Sequence, residues 1–394
     1  MTMLVGALAV LVCLSGAYWA LGLWGLTRME RGLPRLGASG VPEPGRWPRV
    51  SLVIPACNEA DTLEAAVASR LAQDYPELEV VLVDDRSTDG TSALVDRLAA
   101  SDSRVKAVHL THLPEGWLGK LHALHRGAEA ATGEWLLFTD ADVHFTPDTV
   151  RRSISLCAAR GWDFLCVLFH LRPTSFPLDT VTSTLMRLVG TAGRLHQVAD
   201  PQSSASMGAG VFNLIHRDLL ARTPGFEWLK LEIADDWALG QMAKRAGGRC
   251  GVAHALEHVS VELYPSLGAM ARGSEKNGYA VMGHFSNTRL IFSCLLFLLI
   301  ETAPLLALAP VWPGWLRVLG LVGTALALAM CALASRTFRR PLLATLAFPV
   351  GTLLYVAVML RSGWLGWRRG GIVWRGTLYP TEMLRAGARV QSPF

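Results

Sequence analysis

Charged residues are scarce in this chain. Only 18% of its 394 residues are Asp, Glu, Lys or Arg, whereas 51% are hydrophobic. This balance is too apolar for an ordinary soluble enzyme and too polar for a protein that lies wholly within a membrane. Because the apolar excess is concentrated at the two ends, the composition is typical of a soluble domain held by membrane segments.

The sequence also lacks the patterns that indicate cysteine-based sites or a nucleic-acid-binding surface. The chain has 7 cysteines, an odd number, and none of them forms a C-x-x-C pair. We therefore expect reduced thiols on the cytoplasmic side or in lipid, and neither a disulfide framework nor a zinc site. Basic stretches interleaved with aromatic residues are not evident in the middle of the chain, so no nucleic-acid partner is expected despite the net charge of +5.

Long apolar runs are present at both ends. Residues 3–26 carry no charge and are followed by Arg28, Arg31 and Arg35. Positive charge after the run, not before it, indicates an uncleaved anchor with its N-terminus outside and the next domain in the cytoplasm. Near the C-terminus, three further segments have roughly the length of a membrane span, namely 290–308, 316–334 and 342–360.

The C-terminal segments are compatible with two membrane topologies. Three full spans would put the Arg- and Trp-rich tail outside, whereas two spans plus one re-entrant or interfacial segment would keep it inside. Pro349-Val-Gly351 interrupts the last apolar segment. This interruption favours the second reading, which also suits a basic, aromatic tail at the cytoplasmic interface.

From Arg49 onwards the pattern alternates between strands and helices. We predict strands at 50–54, 78–83, 105–110, 135–139 and 162–169, and helices at 59–72, 88–100, 118–131, 178–195 and 235–245, with Pro147 opening another. Such βαβ repetition predicts an α/β fold with a doubly wound, mostly parallel sheet. The predicted parts are an anchor (1–27), a linker (28–48), a cytosolic domain (49–288), membrane segments (289–362) and an interfacial tail (363–394).

Acidic residues follow three of the predicted strands. Glu59 comes after the first strand, Asp84 and Asp85 end the second, and Asp140 and Asp142 end the fourth. Because the carboxyl ends of parallel strands meet at one edge of a sheet, we expect these carboxylates to face a common crevice. The last pair suits a divalent cation such as Mg²⁺ or Mn²⁺, which in turn suits a diphosphate. Each of them alone could equally be a helix cap or a turn residue.

The ordered set of motifs resembles the inverting family-two glycosyltransferases with the GT-A fold. The resemblance covers residues 49–277 and rests on five motifs, Pro55-Ala-Cys-Asn-Glu59, Asp84-Asp-Arg-Ser-Thr-Asp-Gly-Thr91, Gly119-Lys120, Thr139-Asp-Ala-Asp142 and Asp235-Asp-Trp-Ala-Leu-Gly240. It implies a Rossmann-like GT-A catalytic domain, here between N- and C-terminal transmembrane helices. It also implies a nucleotide-diphosphate sugar as donor and favours a UDP-sugar.

The resemblance also implies roles on the donor side. Pro55 and Glu59 would shape the pocket for the base and ribose, Asp84 and Asp85 would lie near the base, and Lys120 would face the nucleotide. The alternative is that Lys120 is only a solvated charge on its helix.

Further roles concern the metal and the acceptor. Asp140 would approach the ribose and, with Asp142, hold the metal that neutralises the leaving diphosphate. Asp236 would be the general base, helped by Asp235 beside it, although both could instead serve a helix N-terminus. The acceptor side would be lined by Gly208, Ala209, Gly210 and Trp237.

One stretch departs from the pattern of processive relatives. Residues 271–277 contain no Arg-Trp pair, which argues against polymer synthesis. The forms Trp117-Leu-Gly-Lys120 and Gly273-Ser-Glu-Lys-Asn277 are similar to those of hopene-associated and carotenoid-acid glycosyltransferases. This similarity implies transfer of one sugar to a membrane lipid by a multi-pass protein of a bacterial-type inner membrane, with its catalytic domain in the cytoplasm.

Two alternatives remain at this stage. A polyprenyl-phosphate sugar synthase would use an acceptor that is already anionic, so it would need little from Asp236. A catalytically silent GT-A domain could serve as a membrane scaffold, but such proteins usually lose carboxylates and none of the expected ones is missing here.

Overall fold

The computed structural model describes residues 2–390. A 31-residue helix, α1 (Thr2–Gly32), precedes the α/β domain. The first half of the domain contains β1 (Val50–Ala56), α2 (Leu63–Leu71), β2 (Leu78–Asp85), α3 (Thr91–Ser101), β3 (Val105–Leu110), α4 (Gly119–Ala130), β4 (Trp135–Phe138), β5 (His144–Phe145) and α5 (Thr149–Arg160). The second half contains β6 (Phe164–Leu168), β7 (His170–Leu171), α6 (Phe176–Ala192), β8 (Asn213–His216), α7 (Arg217–Arg222), α8 (Gly225–Leu229), α9 (Asp235–Arg245), β9 (Cys250–His254) and β10 (Val259–Val261).

The main sheet has seven strands in the order β3-β2-β1-β4-β8-β6-β9. β1 lies between β2 and β4 and is parallel to both, while β8 is antiparallel to its two neighbours. The central strands are apolar runs buried on both faces, as expected when helices cover both sides of a parallel sheet. The prediction of a mostly parallel α/β sheet is therefore confirmed.

Three helices, α2, α3 and α5, begin later than predicted, and α3 begins at Thr91 instead of residue 88. Helix α2 begins at Leu63 instead of residue 59, because Asn58 adopts a positive φ of 58° and its side chain accepts a hydrogen bond from the backbone N–H of Thr88. The first residues of the predicted helix are thereby held in a loop. Helix α5 begins at Thr149, two residues after Pro147.

The C-terminal part is mostly helical. Its elements are α10 (Leu267–Gly273), a π-helical turn (Asn277–Met282), α11 (Asn287–Leu306), α12 (Gly314–Thr337), α13 (Leu342–Leu346), α14 (Phe348–Arg369), β11 (Gly371–Trp374), β12 (Thr377–Pro380) and α15 (Thr381–Gly387). Within residues 2–390, four helices are long and apolar enough to cross a membrane, namely α1, α11, α12 and α14. The predicted tail begins inside α14, and its residues 391–394 lie outside the described part of the chain.

The last apolar segment is divided near its start. A break at Ala347 separates α13 from α14, and Pro349 sits in the first turn of α14, where proline is tolerated. Both ends of the segment contact the α/β domain. Before it, Arg340 binds Asp179 at 2.6 Å. After it, Arg375 donates to Glu59 Oε1 at 2.7 Å.

Helix α6 joins the domain to the apolar helices. It packs against α1, α12, α13 and α14. Its Arg187 is buried and binds both carboxylate oxygens of Glu301 on α11 at 2.6 Å. Tyr18 on α1 and Thr352 on α14 donate to the same carboxylate at 2.7 and 3.1 Å. The acidic residue within the apolar segments is thus neutralised by a network that ties four helices together.

Candidate active site

Most of the predicted site residues converge on one cavity of about 510 Å³. It lies where β1, β2 and β4 end and continues between α6 and α14. Its polar part is lined by Pro55, Glu59, Asp85, Lys120, Asp140, Asp142, Asp235, Asp236 and Trp237. Its remaining walls include Leu185, Leu188, Lys276, Val281, Met282, Tyr355, Met359, Trp374, Arg375 and Tyr379.

Lys120 links the two acidic motifs. Its Nζ lies 2.8 Å from Asp140 Oδ1 and 3.0 Å from Asp235 Oδ2. Burial disfavours the charge on Lys120, but the two carboxylates outweigh it and raise the pKa of the amine well above its usual value. In return, Lys120 lowers the pKa of Asp140 against the effect of burial. Lys120 therefore holds the strand-end carboxylate and the helix α9 carboxylate together.

Asp236 is held by backbone donors at the first turn of α9. Its Oδ2 accepts from the N–H of Gly210 at 2.9 Å and its Oδ1 from the N–H of Trp237 at 2.8 Å. Burial and the charge of neighbouring Asp235 raise the pKa of Asp236. A carboxylate with a raised pKa at the wall of a cavity suits a general base, because it holds a proton more strongly than an exposed carboxylate does.

Asp142 is a partly buried carboxylate at the wall of the cavity. Burial, and then the charge of Asp140, raise its pKa to about 6. Within residues 2–390 no group of three or more His, Cys, Asp and Glu could hold a metal ion. Asp142 and Asp140 would thus offer a cation two carboxylates at most, a donor set that fits Mg²⁺ or Mn²⁺ when substrate phosphates and water complete the shell.

The two carboxylates at the end of β2 have different surroundings. Asp85 lines the cavity and accepts from its neighbour Arg86 at 2.7 Å. Asp84 is buried behind it and accepts from the N–H of Ser87, the hydroxyl of Ser92 and the ring of His109. Burial alone would raise the pKa of Asp84, but these hydrogen bonds lower it. Asp84 thus fixes the loop that follows β2.

The segment around Gly208 packs against the start of α9. A Cβ added at Gly208 would lie 1.8 Å from the backbone oxygen of Asp236, and one at Gly240 would lie 2.1 Å from that of Met207. Gly208 and Ala209 are buried. The small residues let two backbones touch, which places the Asp236 carboxylate beside Gly210.

The sequence pattern did not single out Arg70 of α2. Its side chain is fully buried, and its guanidinium donates to the carbonyl oxygens of Ala141, at 3.2 Å, and Asp140. Burial lowers the pKa of Arg70 to about 10, which leaves the group charged at neutral pH. Arg70 thereby holds the backbone of the Asp140–Asp142 loop through hydrogen bonds. Nothing in the helical spacing distinguishes this position from an ordinary buried one.

The sequence also left open how the C-terminal hairpin β11–β12 contributes. Its two turn residues, Arg375 and Gly376, both have positive φ, as a tight two-residue hairpin turn requires. The turn brings Arg375 to Glu59 and to the carbonyl oxygen of Cys57, at 2.9 Å. The Lys276 amine lies over the ring of Trp374, 4.4 Å from the ring centroid. These contacts place two cations from distant parts of the chain beside Glu59 and Trp374 at the wall of the cavity.

The sequence of the α/β domain is similar to the sequences of known glycosyltransferases. Residues 51–222 match the family described as Glycosyl transferase family 2. Succinoglycan biosynthesis protein ExoO of Rhizobium meliloti is 30% identical over 218 residues, which are 52% of this chain and 58% of that protein. An undecaprenyl-phosphate 4-deoxy-4-formamido-L-arabinose transferase of Aeromonas hydrophila is 30% identical over 154 residues, 37% of this chain and 45% of that protein. The chain thus spans about half the length of these relatives.

A solved structure shares the fold. Mannosyltransferase PcManGT from Pyrobaculum calidifontis, in complex with GDP-Man and Mn²⁺, superposes with a TM-score of 0.53 at 23% identity, covering 91% of this chain and 98% of that one. The predicted fold class and enzyme class are confirmed for the domain that carries the site. Residues 51–222 thus match the family 2 glycosyltransferases, and the domain that contains them has the GT-A fold.

Proposed function

We propose that this protein transfers one sugar from a nucleotide-diphosphate donor, a UDP-sugar by preference, to a membrane lipid with inversion at the anomeric carbon. The observation that carries the proposal is the single cavity in which Asp142 and Asp236 share a space with the apolar walls of α6 and α14. Carboxylates suited to a cation and a base therefore meet a surface suited to a lipid.

The donor would lie along the ends of β1 and β2. Pro55, Glu59 and Asp85 line this part of the cavity and would receive the base and ribose. Lys276 and Arg375 stand at the same side and offer positive charge to the diphosphate. Asp142, with Asp140, would hold Mg²⁺ or Mn²⁺, which when bound neutralises the charge that develops on the leaving diphosphate.

Asp236 would accept the proton of the acceptor hydroxyl as that oxygen attacks the anomeric carbon. A new glycosidic C–O bond forms, the bond between the anomeric carbon and the diphosphate oxygen breaks, and the nucleoside diphosphate leaves with the electron pair. Gly210 and Trp237 hold the Asp236 carboxylate through backbone N–H groups. This support fixes the base in one orientation, which favours in-line attack.

The site would face the cytoplasm at a bacterial-type inner membrane. Helices α1, α11 and α12 would span the bilayer. α13 and α14 would form a re-entrant segment, because Arg340 before it and Arg375 after it both contact the α/β domain. This arrangement keeps the hairpin β11–β12 on the side of the catalytic domain and agrees with the Arg residues in and just after the C-terminal end of α1.

The test is transfer by the purified full-length protein in detergent micelles supplied with a panel of nucleotide sugars, Mn²⁺ and a bacterial lipid extract. A new glycolipid with inverted anomeric configuration is expected with wild type and with the Asp218→Asn control, whose carboxylate is exposed. Asp142→Ala should lose donor turnover. Unchanged turnover in that variant would contradict the metal assignment.

The alternative acceptor is a polyprenyl phosphate, which is favoured by the name of the Aeromonas hydrophila relative. Such an acceptor is already anionic, so it needs no base. If Asp236→Asn kept full transfer and only phosphate lipids accepted sugar, this alternative would replace the proposal. A silent scaffold would bind nucleotide sugars and turn over none of them.

A further inference from the structure

We propose that the apolar arm of the cavity binds the hydrocarbon body of the acceptor lipid. The apolar arm is defined as the part walled by Leu185, Leu188, Val281, Met282, Tyr355 and Met359. This inference rests on the proposed function and adds where the lipid lies and which side chains contact it.

The wall of the apolar arm has no charged side chain. It is built from α6, from the π-helical turn and from α14, and most of its residues belong to an apolar cluster that also contains buried Leu290 and Met270, which lines the cavity. A nucleoside, a peptide or a sugar in this arm would leave polar groups without partners, which costs free energy. A hydrocarbon instead gains about 25 cal/mol for each Å² of apolar surface that it removes from water.

The apolar arm lies at the depth of lipid chains. Trp364 and Trp367 near the end of α14 are 51% and 69% exposed, and Arg368 stacks over Trp364 at 5.3 Å. Exposed Trp and Arg at a helix end mark the interface between membrane and water. Met359 and Tyr355 precede Trp364 on the same helix by about 8 and 14 Å of helix rise. The apolar arm is therefore below the interface.

The apolar arm is continuous with the reacting end of the cavity. Both parts belong to the same space, because Asp236, Lys120, Tyr355 and Met359 all line it. A lipid with its hydroxyl at Asp236 would thus keep its apolar body between α6 and α14 and would not leave the bilayer. Continuity, depth and wall chemistry together point to lipid hydrocarbon as the occupant.

Photolabelling tests this placement directly. The full-length protein would be placed in nanodiscs of phosphatidylethanolamine and phosphatidylglycerol with a 16-carbon alcohol that carries a diazirine on its chain. After illumination, mass spectrometry should find the label on α6 and α14 at the apolar arm. Labelling confined to the outer, lipid-facing sides of α11 and α12 would overturn the proposal, and this readout in wild type needs no variant to fold.

Two variants narrow the apolar arm and one matched variant does not. Leu185→Trp and Met359→Trp should each reduce labelling of the apolar arm and glycolipid formation about tenfold by filling the space, while binding of the nucleotide sugar stays unchanged. Leu353→Trp, on the 53% exposed outer face of α14, should leave both unchanged. Equal effects of all three variants would overturn the proposal.

The same experiment separates the two levels of inference. If wild type transferred no sugar from any donor, the proposed function would fail. A loss of labelling in Leu185→Trp and Met359→Trp would still support a lipid site there. If transfer occurred and both variants kept wild-type labelling and transfer, the proposed function would stand and the lipid site would be refuted.

Discussion

The backbone N–H of Gly210 donates to Asp236 Oδ2 at 2.9 Å, while the carbonyl oxygen of Gly210 accepts from the N–H of Asp140, also at 2.9 Å. One peptide unit on each side of this glycine therefore sets the spacing between the proposed base and the strand-end carboxylate. The proposed base on helix α9 and the proposed cation site after β4 are thus connected through a single residue that has no side chain.

Replacing this glycine should damage catalysis more than stability. A Cβ at Gly210 would lie 2.5 Å from Asp140 Oδ2 and 3.1 Å from the Lys120 amine, so these groups must move. A displacement of about 1 Å in a catalytic group costs about 10²-fold in rate, and we expect Gly210→Ala to lose transfer on that scale. Gly45→Ala, whose Cβ would meet nothing within 4 Å, is the matched control. Equal transfer by the two variants would contradict the coupling.

Removing the charge of Lys120 should destabilise the site and abolish transfer. Lys120→Met leaves Asp140 and Asp235 without their shared partner, and the loss of charged hydrogen bonds should lower the free energy of unfolding by about 2 kcal/mol. The measurement is thermal unfolding in detergent alongside the transfer assay. Lys230→Met, at a half-exposed surface lysine, should change neither quantity. Wild-type stability and rate in Lys120→Met would refute the bridging role.

The contribution of His109 to stability should depend on pH. Its ring lies 3.1 Å from Asp84 and 2.9 Å from Asp96, and the hydrogen bond to Asp84 raises the pKa of His109 in the folded protein. A raised folded pKa means that the stabilisation is fully present below the unfolded value of about 6.5 and is lost as pH rises through the folded value.

Comparing wild type with His109→Asn therefore tests the pair. The stability advantage of wild type should be larger at pH 6 than at pH 9, as read from thermal unfolding at both values. An advantage that grows with pH would show that His109 is stabilised in its neutral form and that the ion pair with Asp84 does not form.

Removing one charge of the buried pair Arg187–Glu301 should destabilise the protein more than removing both charges. Arg187→Met leaves a buried carboxylate without its cation and should cost about 3 to 5 kcal/mol, whereas the double variant Arg187→Met, Glu301→Met removes both charges and should recover most of that loss. Unfolding of the single and double variants in the same detergent gives the comparison. A double variant as unstable as the single one would show that packing, and not charge, is what Arg187 supplies.

The sequence predicts the sheet and the carboxylates at its edge for a clear physical reason. The strands that carry Asp85 and Asp140 are continuous apolar runs, and the order of strands and helices alone places their carboxyl ends on one edge. The proposed role of Asp236 comes instead from the resemblance to the family-two glycosyltransferases, since its local sequence predicts only that a helix begins there. Each of these features depends on neighbours within a few residues.

The remaining parts of the site depend on contacts between distant segments. Arg375 reaches Glu59 across 316 positions of the chain, and Tyr355 and Leu185 face one cavity from separate helices. Periodicity records which face of an element is apolar, but it does not record which other element covers that face. Arg70 is the clearest case, since its place in a helix of apolar spacing gives no sign that it supports the Asp140–Asp142 loop.

The most direct test of the account compares wild type with Asp236→Asn in one assay that follows both nucleotide-sugar binding and glycolipid formation. We predict that the variant binds the donor in the presence of Mn²⁺ as wild type does and forms glycolipid at least about 10²-fold more slowly, because the acceptor hydroxyl keeps its proton. Glycolipid formation at the wild-type rate by Asp236→Asn would contradict the account.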